Sequence, residues 1–389
     1  MTPRSALSGV RVVELARILA GPWIGQTLAD LGADVIKVES PEGDDTRRWG
    51  PPFLDTEGER TAAYYHACNR GKRGIVADFT TERGREIVRR LALRSDVLIE
   101  NFKVGGLKKY GLDHASLSKL NPRLVYCSVT GFGQTGPYAE RAGYDYLTQG
   151  MSGFMDITGE ADGPPQRAGV AISDLFTGLY GVIAIEAALI AREHTGRGQH
   201  IDLALLDTTG AILANQAMNF LVAGVAPGRT GASHPNLAPY QTFPVADGFV
   251  IIAVGNDGQF ARLCATLGLE ALASDARFAA NAARVANRPA LADELSGRTR
   301  LWRRDALLAA LEKAVVPAGP INTIADLFAD PQFLARGMRI DPQGTPGVRS
   351  PIVMSESPLT LERRSPKLGE HEAEILCEIG LEGAPDPSA

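Results

Sequence analysis

A chain of 389 residues is too long for one small core and reads as two domains. Apolar residues at 44%, charged residues at 22% and a net charge of −5 describe an ordinary globular protein, with no electrostatic footing for nucleic acid or an anionic membrane. Cys68, Cys127, Cys264 and Cys377 form no CxxC pair and sit near no histidine spacing, so they read as buried thiols of a reducing, cytoplasmic setting, not as disulfides or a zinc site.

The opening MTPRSALSGVRVVEL lacks a basic region followed by a long apolar segment, so no signal peptide is expected. VRVVEL (10–15) alternates and is rich in valine, which predicts a strand, and AGPWIGQTLADLG then carries Trp23, Ile24, Leu28 and Leu31 at helical spacing. Further strands are expected over 33–39, 73–79, 96–102 and 123–132, with a capped amphipathic helix over TTERGREIVRRLALRS. Strands alternating with helices predict a parallel α/β sheet covered on both faces, with ligands at the carboxyl ends of its strands. The first strand–helix turn holds Gly21 and Gly25 with a proline between them, not G-x-G-x-x-G, so a dinucleotide site is not expected.

From about residue 210 the texture changes. AGVAPGRTGASHPNLAPYQTF (223–243) has the glycine and proline content of a linker, GFVIIAVG (248–255) reads as a strand, and 270–315 as consecutive helices. We therefore divide the chain into a large α/β domain (1–205), a linker (206–245), a smaller α/β domain (246–322) and a returning segment (323–389) that completes the first domain. The longest apolar run, 179–191, is interrupted by Glu186 and is too short to span a bilayer.

One carboxylate stands out. In GVAISDLFTGLYGVIAIEAAL (169–189), Asp174 has only Arg167 as a basic neighbour within eight positions. The plain reading is a helix cap by Ser173 or Asp174. The functional reading is a poorly solvated, reactive carboxylate, and both can hold. Upstream, Tyr144 and Asp145 lie among Gly143, Gly150 and Gly153, which permit close backbone approach. GNDGQ (255–259) reads either as a strand–helix turn or as a loop that closes over a reactive centre. The six histidines are scattered and match no metal pattern, so no metal is expected.

Several stretches together, GVRVVELARILAGPWIGQTLADLGADVIKVESPEGDDTR, NRGKRGIVADF, VLIENFKVGGLKKYGL, GYDYLTQGMSGFMDITG, GVAISDLFTGLYG and HTGRGQHIDLALLD, resemble the family III CoA-transferases in order and spacing, from about residue 8 to 370. The resemblance implies a doubly wound, Rossmann-like large domain, a small domain and an interlocked homodimer. It implies coenzyme A, carried as an acyl-CoA, and a carboxylic acid as substrates, with CoA transfer through a covalent aspartyl intermediate. The family's nucleophile falls on Asp174, and its mobile glycine loop on Gly255 to Gln259, with Gly258 and Gln259 in catalytic roles. Its CoA-contacting positions fall on Ile18, Leu19, Ser40, Ala77, Phe79, Thr80, Asn101, Phe102, Lys109, Tyr144 and Asp145. Leu19 and Ala142 stand where formyl-CoA transferase has glutamine and lysine, which argues against formyl and oxalate. PYQTFPVADGFVIIAVGNDGQF and GPIN most resemble the subgroup that uses succinyl-CoA and other dicarboxylates. The 2-methylacyl-CoA racemases share this pattern but place a histidine base where Tyr144 stands. A free phenol ionises near pH ~10 and a free imidazole near ~6.5, so a tyrosine is a poor base there. A non-catalytic CoA-binding homologue is the other alternative.

Overall fold

The valine-rich segments pair where buried strands are expected. The structure, a computed structural model that describes residues 4–381, contains β1 (Arg11–Glu14), β2 (Asp34–Glu39), a hairpin β3–β4 (Phe53–Thr56 and Glu59–Ala62), β5 (Arg73–Val76), β6 (Val97–Glu100), β7 (Val125–Thr130) and β8 (His200–Ala204). Six of these form one parallel sheet in the order β5-β2-β1-β6-β7-β8. Without the hairpin this is the doubly wound order, reversing between β1 and β6. Register sets Val12 beside Val97 and Val13 beside Leu98, so alternate side chains supply two separate cores.

On one face, Val12, Val35, Val97 and Val125 pack with Ile24 and Leu28 of α1 (Ala20–Asp30) and with Val182 and Ile185 of a long helix. On the other, Val13, Ile36 and Leu98 pack with Ile87 and Leu91 of α2 (Glu82–Leu93), Leu117 of α3 (His114–Leu120) and Ile375 of the C-terminal helix Glu372–Glu378. Two more helices follow the sheet's first five strands: α4 (Asp145–Met151) and the long α5 (Ile172–Thr195); α6 (Leu205–Ala211) follows β8.

Beneath the β1–α1 turn lies a network of buried charges. Glu14 accepts from both Lys37 (3.2 Å) and Lys72 (2.9 Å), and Lys37 also reaches Asp44 at 3.0 Å. All three side chains of the Glu14–Lys37–Lys72 set are fully buried, so each charge depends on its partners, and removing one would strand the others. Asp44 in turn accepts the N–H of Ile18, whose φ of +73° is unusual for a β-branched residue.

The contacts of the chain divide it into two units. Among the described residues the first comprises 4–153, 168–213 and 331–381, and the second 154–167 and 214–330. In the second, β9 (Tyr240–Val245), β10 (Gly248–Ala253) and β11 (Ala318–Pro320) form an antiparallel sheet. Phe243, Val250 and Ile252 pack there with Phe260 and Leu263 of Asp257–Leu267, Leu291 and Leu295 of Arg288–Thr299, and Leu307 and Leu311 of Arg304–Lys313.

These boundaries correct the sequence reading in three places. The supposed linker 206–245 holds most of α6, a helix at Ala214–Ala223 and all of β9, because its glycine and proline cluster occupies only the middle. Residues 154–167 join the second unit, where the Arg229 guanidinium donates to the Asp156 backbone carbonyl at 3.0 Å. Residues 323–330, assigned to the return, also belong to the second unit. The return begins at 331, and the Thr360 N–H donates to the Asp30 carbonyl at 2.8 Å. Cys68, Cys127 and Cys264 are buried, but Cys377 is exposed, on the outer side of a short terminal helix. The apolar run 179–191 lies in a 24-residue helix that is long and apolar enough to cross a membrane by length and composition. It instead packs Thr177, Gly178, Gly181, Val182 and Ile185 into the first unit.

Candidate active site

The turn after β1 and the segment after β6 face each other where the strand order reverses, and a cleft of about 510 Å³ opens there. Ile18, Leu19, Phe79, Asn101, Phe102, Lys109, Tyr144 and Asp174 all line it. Eight of the residues expected on sequence grounds are thus brought together from six separate stretches of chain.

Asp174 is the third residue of α5. It is not the cap, which corrects the plain sequence reading. Ala171 is the N-cap and makes no side-chain hydrogen bond. The orphan N–H of Ser173 donates to Asp145 Oδ1 at 2.8 Å, and the Ser173 hydroxyl accepts from Thr209 at 2.8 Å. Gln149 Nε2 holds the other Asp145 oxygen at 2.7 Å. Asp145 is therefore the capping carboxylate, and among the described residues Asp174 is left without a hydrogen bond or cation of its own. Burial, followed by the charge of Asp145, pushes the Asp174 carboxyl up to about 7. Burial, followed by the charge of Asp174, pushes the nearby Tyr64 phenol up to about 12, so it stays a neutral donor.

The remaining expected positions serve the cleft less directly. Asp145 stands behind Asp174 and does not line the cleft. Ser40 and Ala77 follow β2 and β5 away from its wall, and the Thr80 hydroxyl is engaged with Asp78 at 2.6 Å. Asn101 lines the cleft, yet its amide is committed: Oδ1 accepts from Arg17 N at 2.9 Å and Nδ2 donates to Arg17 O at 2.7 Å. Gly258 and Gln259 belong to the second unit, in the first turn of Asp257–Leu267. There Asn256 Oδ1 accepts from Gln259 N at 2.9 Å, Gln259 Oε1 accepts from Gly255 N at 2.7 Å, and Asp257 accepts from the buried Arg284 at 2.6 Å. GNDGQ is a capped helix start in this structure.

Sequence reasoning passed over the cations of the cleft. Arg17, Lys103 and Arg141 line it with Lys109. Arg141 stacks on Tyr138, 4.5 Å from the ring centroid, and Phe79 meets Phe102 and Tyr110 edge to face at 5.5 and 5.4 Å. The three missed cations, Arg17, Lys103 and Arg141, each flank a position already named (Ile18, Phe102 and Ala142), and that adjacency was the available signal.

Of the three glycines around Tyr144, Gly143 has the demonstrable task. Its Cα lies so close to Gly131 that a Cβ on either would enter the other's backbone. Gly143→Ala is expected to cost roughly 2–3 kcal/mol of stability through that clash. A denaturant titration checks it, and a variant as stable as wild type would remove the close approach from the account.

The comparisons with known proteins agree with this geometry. Residues 7–372 match the model of CoA-transferase family III. The chain belongs to that family. This CoA-transferase is 62% identical over 381 residues to the succinate–glutarate CoA-transferase of Agrobacterium fabrum, covering 96% of this chain and 95% of that protein. It is 41% identical to the succinyl-CoA:glutarate CoA-transferase of Homo sapiens, covering 96% of this chain and 86% of that protein. Among solved structures, a CAIB/BAIF family protein from Brucella suis superposes with a TM-score of 0.89 at 67% identity, over 97% of this chain and 100% of that one. As a CoA-transferase the protein acts on CoA thioesters and carboxylates.

Proposed function

We propose that this transferase moves CoA from succinyl-CoA to a dicarboxylic acid of glutarate type, through covalent intermediates on Asp174. The observation that carries the reading is an unpartnered carboxylate on the wall of the cleft at the strand reversal. The substrates are those named for the two transferases above.

In this mechanism Asp174 attacks the thioester carbonyl, giving a mixed anhydride and CoA thiolate. The thiolate attacks the aspartyl carbonyl of the anhydride, forming an aspartyl-CoA thioester and releasing succinate. The acceptor carboxylate then attacks that thioester, and the thiolate it frees takes the acceptor's acyl group, restoring Asp174. Lack of a cation partner suits Asp174 to this work, because no ion pair has to be broken before attack. Arg17, Lys103, Lys109 and Arg141 offer counter-charges for the phosphates of CoA, and the Phe79–Phe102–Tyr110 cluster an apolar surface beside them. Ser40, Ala77, Thr80 and Asp145 support that binding surface, while Gly258 and Gln259 carry the covering role that keeps water from the anhydride.

The working form in this proposal is a cytoplasmic, interlocked homodimer. Phe176, Leu179, Tyr180, Ile183 and Ile190 form an exposed apolar stripe along α5 at helical spacing, as an unpaired subunit would leave it. A racemase would need a base at the α-carbon, and the described residues lining the cleft include no histidine.

Incubation with succinyl-CoA and glutarate, read by mass spectrometry, is expected to yield succinate and glutaryl-CoA. Turnover of monocarboxylates with none of any dicarboxylate would overturn the substrate assignment. Failure to modify Asp174 with a broad thioester panel in the presence of hydroxylamine would overturn the covalent route.

A further inference from the structure

A second cavity, of about 240 Å³, shares a wall with the CoA cleft. Lys103, Val104 and Gly106 line both, so the segment after β6 is a partition between them. At the root of that partition stands Glu100, the last residue of β6, which is 6% exposed and, among the described residues, pairs no cation. Its Oε2 accepts the Phe102 N–H at 2.8 Å. Ser128 stands beside it in the sheet register, where its hydroxyl favours the ionised form of the same carboxyl. The Ser128 hydroxyl is in turn 2.9 Å from Nε2 of His200, which is open to solvent.

We propose that Glu100 is a positioning residue for acyl-CoA recognition, holding the Asn101–Lys109 wall of the cleft through Phe102, and that Ser128 and His200 connect it to solvent protons. The inference rests on the CoA cleft assigned above. With Glu100 ionised, His200 Nε2–H donates to Ser128 Oγ, and Ser128 O–H donates to the carboxylate. A proton arriving at His200 Nδ1 shifts the chain: Nε2–H passes to Ser128, and the Ser128 proton passes to Glu100. The result is a neutral carboxyl and an Nδ1–H imidazole, with one proton taken from solvent and one held on Glu100. The Phe102 N–H then loses its charged acceptor, and the wall loses that tie.

The surroundings allow this exchange near neutral pH. Burial pushes Glu100 up to about 7, against the hydrogen bonds from Ser128 and Phe102. Burial, then His114, pushes His200 down, while Asp202 raises it. His114 stacks on His200 at 4.9 Å and is itself lowered by burial, with Asp113 opposing. Lys103 and Lys108 reach the cavity from the partition, and Tyr126, held protonated by burial, faces the group from β7.

The test is calorimetric binding of coenzyme A at pH 8 and pH 6 to wild type, Glu100→Gln and Ser128→Ala, with kcat and KM for succinyl-CoA at pH 8. Glu100→Gln is isosteric, and circular dichroism checks that it folds. It is expected to weaken CoA about 3–10-fold at pH 8, by replacing a charged acceptor with a neutral one, and to raise KM more than it lowers kcat. Wild type is expected to weaken more than Glu100→Gln or Ser128→Ala between pH 8 and pH 6. Titration of Asp174 and of the CoA phosphates is common to all three and cancels in that comparison. Equal affinity of wild type and Glu100→Gln at both pH values would overturn the proposal, as would a fall in kcat with KM unchanged. A wild-type chain that binds no CoA would overturn the functional reading itself and this inference with it.

Discussion

Asp174→Ala is expected to lower kcat for CoA transfer by roughly 10⁴-fold or more, because the covalent route has no substitute nucleophile. Among the described residues, the other carboxylate beside this part of the cleft is Asp145, and it is occupied: it accepts Ser173 N–H at 2.8 Å and Gln149 Nε2 at 2.7 Å. Asp174→Asn is the better-matched variant, since it keeps the shape of the side chain at the third position of α5. Both should retain CoA binding, which separates loss of chemistry from loss of fold. Product formation by mass spectrometry at high enzyme concentration is the measurement. Full transfer by either variant would move the nucleophile elsewhere.

The second large effect is on pH. With its carboxyl near 7, Asp174 would attack, in the proposed mechanism, only in the fraction that is ionised. The rate at limiting acyl-CoA is expected to be level above that value and to fall about tenfold per pH unit below it. Asp145→Asn removes the second-ranked cause of the elevation, so its acid limb should move to lower pH. A limb unmoved by that change would mean that burial alone sets the carboxyl.

Stability follows with the opposite sense. In the unfolded chain Asp174 titrates at 3.8, and in the folded one at about 7, so between those values the native state binds more proton than the unfolded state. Its contribution to stability is fully present below about pH 4 and is lost as pH rises through 7. Asp174→Asn escapes this loss and is expected to be more stable than wild type by roughly 2–4 kcal/mol at pH 8, with the gain disappearing near pH 4. Paired denaturation curves at the two pH values decide it. The proposed nucleophile is thus held in a charge state that the fold itself disfavours.

Much of the architecture could be read from local pattern. β1, β2, β6 and β7 are valine-containing segments buried on both faces, and such segments announce a parallel sheet. β8 escaped because HIDLA alternates polar with apolar, and its place at the sheet edge leaves His200 in solvent. The hairpin β3–β4 escaped because FLDT and ERTA are short and mostly polar. Family resemblance singled out Asp174, the nucleophile in our proposal, but the partners that define its state are distant in sequence. The cap on Ser173 comes from 28 residues upstream, and the amide that clasps Arg17 from 84 residues downstream. No periodicity records such pairs. The missed boundary at 154–167 has the same origin, since Arg229 meets Asp156 across 73 residues.

Helix α5 joins two properties usually kept apart. Its first turn presents Asp174, while its outer side displays Phe176, Leu179, Tyr180 and Ile183 to solvent. In the proposed dimer, covering that side would steady the turn that bears the nucleophile. Turnover per subunit would then depend on how much protein is in the tube, and dilution would act on this enzyme as an inhibitor does.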